Sequence, residues 1–151
     1  MAVAPDGSTV YLAASSGGAF AVVASRDFET VAYDASLRHR AWAARYDGGH
    51  GDDGGEAVAV SPDGTRVYVT GWSDEGRTVC FGELPSTAFA TVEYDAAGGT
   101  PGWVARYGGL NRDPDEPRAV AVSPDGTLGF VAGDSDSGCA GSDVATLGYR
   151  G

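Results

Sequence analysis

The chain has no Lys, Ile or Gln, one Asn, one Met and two Cys in 151 residues. With lysine missing, all ten basic residues are Arg, set against 21 Asp and Glu for a formal net charge of −11. Phosphate recognition draws on clustered Lys and Arg, so this balance argues against a nucleic-acid partner and against an anionic membrane surface. Cations, basic proteins or plain solubility remain as roles for the charge. The residue bias reads as the mark of a GC-rich bacterial genome. No run approaches the ~20 apolar residues of a membrane span. The longest covers only 19–24, and no signal peptide precedes the first strand. Cys80 and Cys139 stand in no C-x-x-C or other metal-ligand spacing, which argues against zinc.

What the chain does have is glycine, 24 residues of it, and an internal repeat. Ala57-Val-Ala-Val-Ser-Pro-Asp-Gly-Thr65 returns unchanged as Ala119-Val-Ala-Val-Ser-Pro-Asp-Gly-Thr127, and Met1-Ala-Val-Ala-Pro-Asp-Gly-Ser8 opens the chain as a third copy. A second block follows each: Phe28-Glu-Thr-Val-Ala-Tyr-Asp34, Phe89-Ala-Thr-Val-Glu-Tyr-Asp95 and Val144-Ala-Thr-Leu-Gly-Tyr-Arg150. A third block, Trp42-Ala-Ala-Arg-Tyr46, recurs as Trp103-Val-Ala-Arg-Tyr107 and has no third copy. Ordered blocks at matched offsets are the signature of tandem structural units.

Each block reads as strand. The short apolar segment 57–61 suits a strand enclosed on both faces. Pro62-Asp63-Gly64 then supplies a turn, Pro fixing φ and Gly permitting φ > 0, and Asp125-Gly126 repeats it. The β-branched and aromatic residues of 66–70 make a second strand, 87–94 a third and 103–107 a fourth. Four antiparallel strands in ~60 residues, in tandem, match the blade of a β-propeller. A β-sandwich with coincidental similarity is the other reading. The expected fold is all-β: a partial propeller of about three four-stranded antiparallel blades, near 1–48, 56–109 and 117–151, with the last incomplete.

Ala32, Asp34 and Trp42 resemble the tryptophan-docking repeat of quinoprotein-like propellers, Ala-x-Asp-x-x-Thr-Gly-x-x-x-Trp, with Leu37 and Arg38 in place of its Thr-Gly. The next copy keeps Asp95, Gly99 and Trp103 but has Glu93 and Gly98 at the other positions. The run from Ser61 to Gly71, Ser-Pro-Asp-Gly-Thr-Arg-Val-Tyr-Val-Thr-Gly, is similar to YVTN-type and lactonase-like propeller repeats. The resemblance implies that Trp42 and Trp103 pack between neighbouring blades. It does not carry over the quinone cofactor, which needs vicinal cysteines, nor a lactonase site, which needs residues converging from many blades.

A propeller closes with roughly four to eight blades. Three arrangements therefore stay open: a segment of a longer propeller, a ring completed by further copies through the open blade edges, or an open stack. The expected location of the whole protein is extracellular or in the cell envelope.

In such blades the connections between the fourth and first strands and between the second and third emerge at one end. Fourteen of the 21 acidic residues fall there, accompanied by Arg26, Arg77, Arg112 and Arg118. Asp52, Asp53 and Glu56 in one connection, with Asp113, Asp115 and Glu116 in the next, are the sharpest candidates for a cation face. Calcium takes six to eight oxygens, although no EF-hand loop is present. Solvated loop carboxylates are the plainer reading. Cys80 and Cys139 lie in variable loops of adjacent blades, where a cross-blade disulfide and two free thiols are both open. The expected function is a non-enzymatic scaffold or binding segment with a protein or small-molecule ligand on the acidic end. The alternative is part of a lactonase-like or quinoprotein-like enzyme whose active site is completed by other blades.

Overall fold

A computed structural model of the chain describes residues 1–17, 25–79, 84–109, 114–136 and 141–150. Among them are eleven strands and no helix. The first sheet takes β1 (Ala2–Val3), β2 (Thr9–Gly17), β3 (Arg26–Asp34) and β4 (Arg40–Tyr46) in that order. The second takes β5 (Asp53–Val60), β6 (Arg66–Val79), β7 (Leu84–Asp95) and β8 (Pro101–Tyr107). The third holds β9 (Asp115–Val122), β10 (Leu128–Asp136) and β11 (Ser142–Arg150). Every pairing is antiparallel between sequence neighbours. Among the described residues the protein is thus all-β, with three blade-like sheets of four, four and three strands.

The sheets stack in chain order, β5 lying against β2 and β3, and β9 against β5, β6 and β7. Their strands run longer than the sequence blocks suggest. β5 begins at Asp53, four residues ahead of the Ala-Val-Ala-Val run, because a register shift between Gly55 and Ala57 lets the strand continue past the repeat. The 57–60 run is also less enclosed than expected, with only Val58 buried.

The turn between the first two strands of a blade is built the same way in the two identical copies. Ser61 Oγ donates to Asp63 Oδ1 at 2.5 Å, Thr65 N–H to the same oxygen at 3.1 Å, and Arg66 N–H to Ser61 Oγ at 3.0 Å. Ser123, Asp125, Thr127 and Leu128 repeat all three bonds. Gly64 and Gly126 take φ of 72° and 73°, a left-handed conformation that a side chain disfavours.

Indole rings join the sheets. Trp42, on β4, lies 5.9 Å from Tyr11 of its own sheet and 5.9 Å from Tyr94 of the next, with tilted rings. Its Nε1–H donates to Ala96 O of the second sheet at 2.9 Å, and Tyr11 Oη donates to the same carbonyl at 3.3 Å. Trp103 sits between Tyr68 and Tyr149 in the same way, at 6.1 and 5.3 Å, and donates to Glu93 Oε2 at 2.7 Å. Around the first joint Phe28, Val67, Val69 and Val92 complete a shared core.

Candidate functional site: the acidic loop end

Strand register places the acidic residues. Asp53 pairs with Ser73, Asp115 with Ser135, Ser135 with Asp143, and Ser16 with Asp27. These positions therefore share one end of their sheets, opposite the turns at 62–65 and 124–127. Several lie within strand ends rather than in free loops, because β6, β7, β9 and β10 extend beyond the repeat blocks.

The five candidate cation ligands among the described residues take different partners. Asp52 accepts the Arg26 N–H at 2.8 Å and pairs with its Nε at 3.3 Å. Glu56 is exposed and accepts from Trp72 Nε1 at 3.2 Å. Glu116 pairs with Arg118 at 2.5 Å, and Asp134 takes the same guanidinium at 2.8 Å. These two carboxylates, Asp134 first, raise the Arg118 pKa and keep its charge. Asp113, like Cys80 and Cys139, lies outside the described residues.

Asp53 and Asp115 do something else. Both are fully buried at the start of the first strand of a blade. Asp53 Oδ2 accepts Gly48 N–H at 2.8 Å and Asp115 Oδ2 accepts Gly109 N–H at 2.5 Å, each tying down the connection that enters its sheet. In both, Oδ1 is buried without a hydrogen-bond partner. The second joint adds a reciprocal pair between Thr87 and the Asp115 backbone, both bonds at 3.1 Å.

Among the described residues, the carboxylates that converge are Asp27, Asp47 and Asp53. Asp27 and Asp47 flank Phe28 and Tyr46, which pair across β3 and β4. Aligning the repeat blocks on strand register, instead of counting acidic residues per loop, is the signal that brings the two together. Arg45, on β4, forms an ion pair with Asp27. Arg106 reaches back from β8 to the carbonyls of Gly48 and Asp74 at 3.3 and 3.4 Å. His39 and His50 are exposed.

The other end is closed on itself. Asp6, Asp34, Asp63 and Asp125 each accept hydrogen bonds from neighbouring Ser or Thr residues, and each carboxyl is held below its ordinary pKa by them. Among the described residues no helix is long and apolar enough to cross a membrane. Comparisons of the chain with protein-family models, with curated proteins and with solved structures return no match.

Proposed function

We propose that the chain is a non-enzymatic segment of a bacterial, exported propeller of the quinoprotein-like or YVTN type, a rigid scaffold whose acidic loop end binds a basic partner. The observation that carries this reading is the contrast between the two ends. At one end near-identical turns spend their carboxylates on their own backbone. At the other the connections differ between copies in length and charge, as binding loops on a repeated frame do. Participation in a larger or oligomeric propeller is supported by the outer sheet, where Phe130 is 42 % and Val144 78 % exposed.

The test is amide chemical-shift mapping of the labelled chain titrated with an arginine-rich peptide at low salt. Shifts concentrated at 47–53, 74–78 and 114–118, lost on raising the salt, are expected of a screened electrostatic surface. Equal shifts at the turns 62–65 and 124–127, or none anywhere, would overturn the reading.

A further inference from the structure

We infer that the joint between the first and second sheets binds a calcium ion on Asp27, Asp47 and Asp53. This stands apart from the partner reading above and does not depend on it. One oxygen from each of the three carboxylates lies within 4.8 Å of the others. Calcium holds oxygens at about 2.3–2.6 Å, so ligands sharing one ion stand at most ~5 Å apart. The three residues come from three segments: the start of β3, the connection after β4 and the start of β5.

Clustered acids on a surface are common, but two of these are buried, Asp27 at 8 % exposure and Asp53 at 0 %. A separate observation points to a ligand. Ser73, which faces Asp53 across the β5–β6 pairing, is fully buried and its Oγ has no partner. Asp53 Oδ1 is unpartnered as well. Both atoms crowd the same space beside Gly48, where an added Cβ would collide with Ser73 Oγ and stand 2.9 Å from Asp53 Oδ1 and 3.1 Å from Arg106 Nη1. Asp115 Oδ1 is unpartnered in the same way, so it is the buried Ser73 hydroxyl, whose counterpart Ser135 is only half-buried, that sets the first joint apart.

Charge points the same way. Arg45 serves Asp27, while Asp47 and Asp53 have no ion-pair partner among the described residues. Arg106 is committed to backbone carbonyls. Calcium accepts an irregular and partly hydrated oxygen shell, whereas magnesium demands a near-ideal octahedron. The exposed Asp47 side leaves room for water.

The second joint is a comparison built into the molecule. It repeats the buried aspartate as Asp115 and its glycine as Gly109, but the positions matching Asp27 and Asp47 are Ala88 and Gly108. The buried aspartate thus belongs to the repeat, and only the first joint surrounds it with further carboxylates.

The experiment is calorimetric titration of the chelator-stripped chain with calcium chloride to about 5 mM, beyond the ~10⁻⁴–10⁻³ M range of weak extracellular sites. The unmodified chain is expected to bind saturably at one site. Asp47→Asn, which keeps an acceptor for Gly49 N–H, should weaken binding by about tenfold or more, since affinity follows ligand charge. Glu116→Gln, at the other joint, should stay within about twofold, as suits a screened surface charge. Asp53→Asn should abolish binding, its fold checked by circular dichroism. If that variant does not fold, the Asp47 and Glu116 pair decides. No saturable heat in the unmodified chain, or equal binding by Asp47→Asn and Glu116→Gln, would overturn the inference. A failed peptide titration leaves it standing.

Discussion

Replacing Trp42 by Ala should cost about 3–5 kcal/mol, the range for deleting a buried indole. The ring is 9 % exposed and touches Tyr11 and Tyr94 at 5.9 Å each. Tilted aromatic pairs contribute ~0.5–1.5 kcal/mol apiece beyond area burial, and the Nε1–H bond to Ala96 O adds ~1 kcal/mol. Lost burial and the cavity make up the rest. Trp42→Phe, which keeps most of the ring and loses the donor, should cost only ~1–2 kcal/mol. Tyr11 Oη still reaches Ala96 O in that variant, so the carbonyl is not left bare. Urea unfolding followed by circular dichroism measures both, and a cycle with Tyr94→Ala isolates the term between sheets, expected at ~0.5–1.5 kcal/mol. A cost for Trp42→Ala below ~1 kcal/mol, or zero coupling to Tyr94, would refute the docking account.

Trp103→Ala should cost less than Trp42→Ala in the same assay, because its ring is only half-buried and its N–H meets a carboxylate rather than a buried carbonyl. A Cβ at Gly55 would lie 3.0 Å from both Ala14 O and Phe28 Cδ2, so Gly55→Val should destabilise by ~1–3 kcal/mol through overpacking of the first joint. A variant as stable as the parent would show that the sheets can move apart there. Asp63 is held at about 2 from an ordinary 3.8, first by the Ser61 hydroxyl and then by Thr65. A carboxyl whose folded pKa is depressed stabilises above its unfolded value, so the turn should weaken as pH falls from near 4 toward 2. Carboxyl-carbon NMR should find its midpoint near 2, and a midpoint near 4 would contradict the capped turn. Val144→Glu should change monomer stability by no more than ~0.5 kcal/mol, because the side chain is largely exposed. If copies pair along β11, the same substitution should reduce association in sedimentation.

The architecture was legible because the repeat carries its own punctuation. Two unchanged Ser-Pro-Asp-Gly-Thr turns, each flanked by apolar and β-branched runs, define strand pairs without any tertiary information. The place of Trp42 and Trp103 between sheets was implied by the resemblance to tryptophan-docking repeats, not by their offsets. The acidic end was legible only in outline. Asp53 and Asp115 look in sequence like loop carboxylates beside other acids, yet both are buried because the first strand of each blade runs on past the repeat block. Local composition cannot reveal this, since burial depends on the preceding sheet lying across the strand. Gly48 and Gly109, at equal distances after Trp42 and Trp103, were the only local hint. Asp27 and Asp47 are 20 residues apart and meet only through the β3–β4 register. The strand lengths were also underestimated, because β6 and β7 resume pairing beyond an irregularity between Asp74 and Thr78 that interrupts the pattern.

Trp42 and Trp103 are each contributed by one sheet and packed against the next, so the seam between sheets is encoded half on either side of it. A sheet inserted, duplicated or exchanged with its seam residues intact brings one half of two joints and finds the other halves already waiting. Such a chain can lengthen by whole units without redesign of its interior. The same arrangement makes an isolated sheet a poor folding unit, since its largest side chain has nowhere to hide until a neighbour arrives.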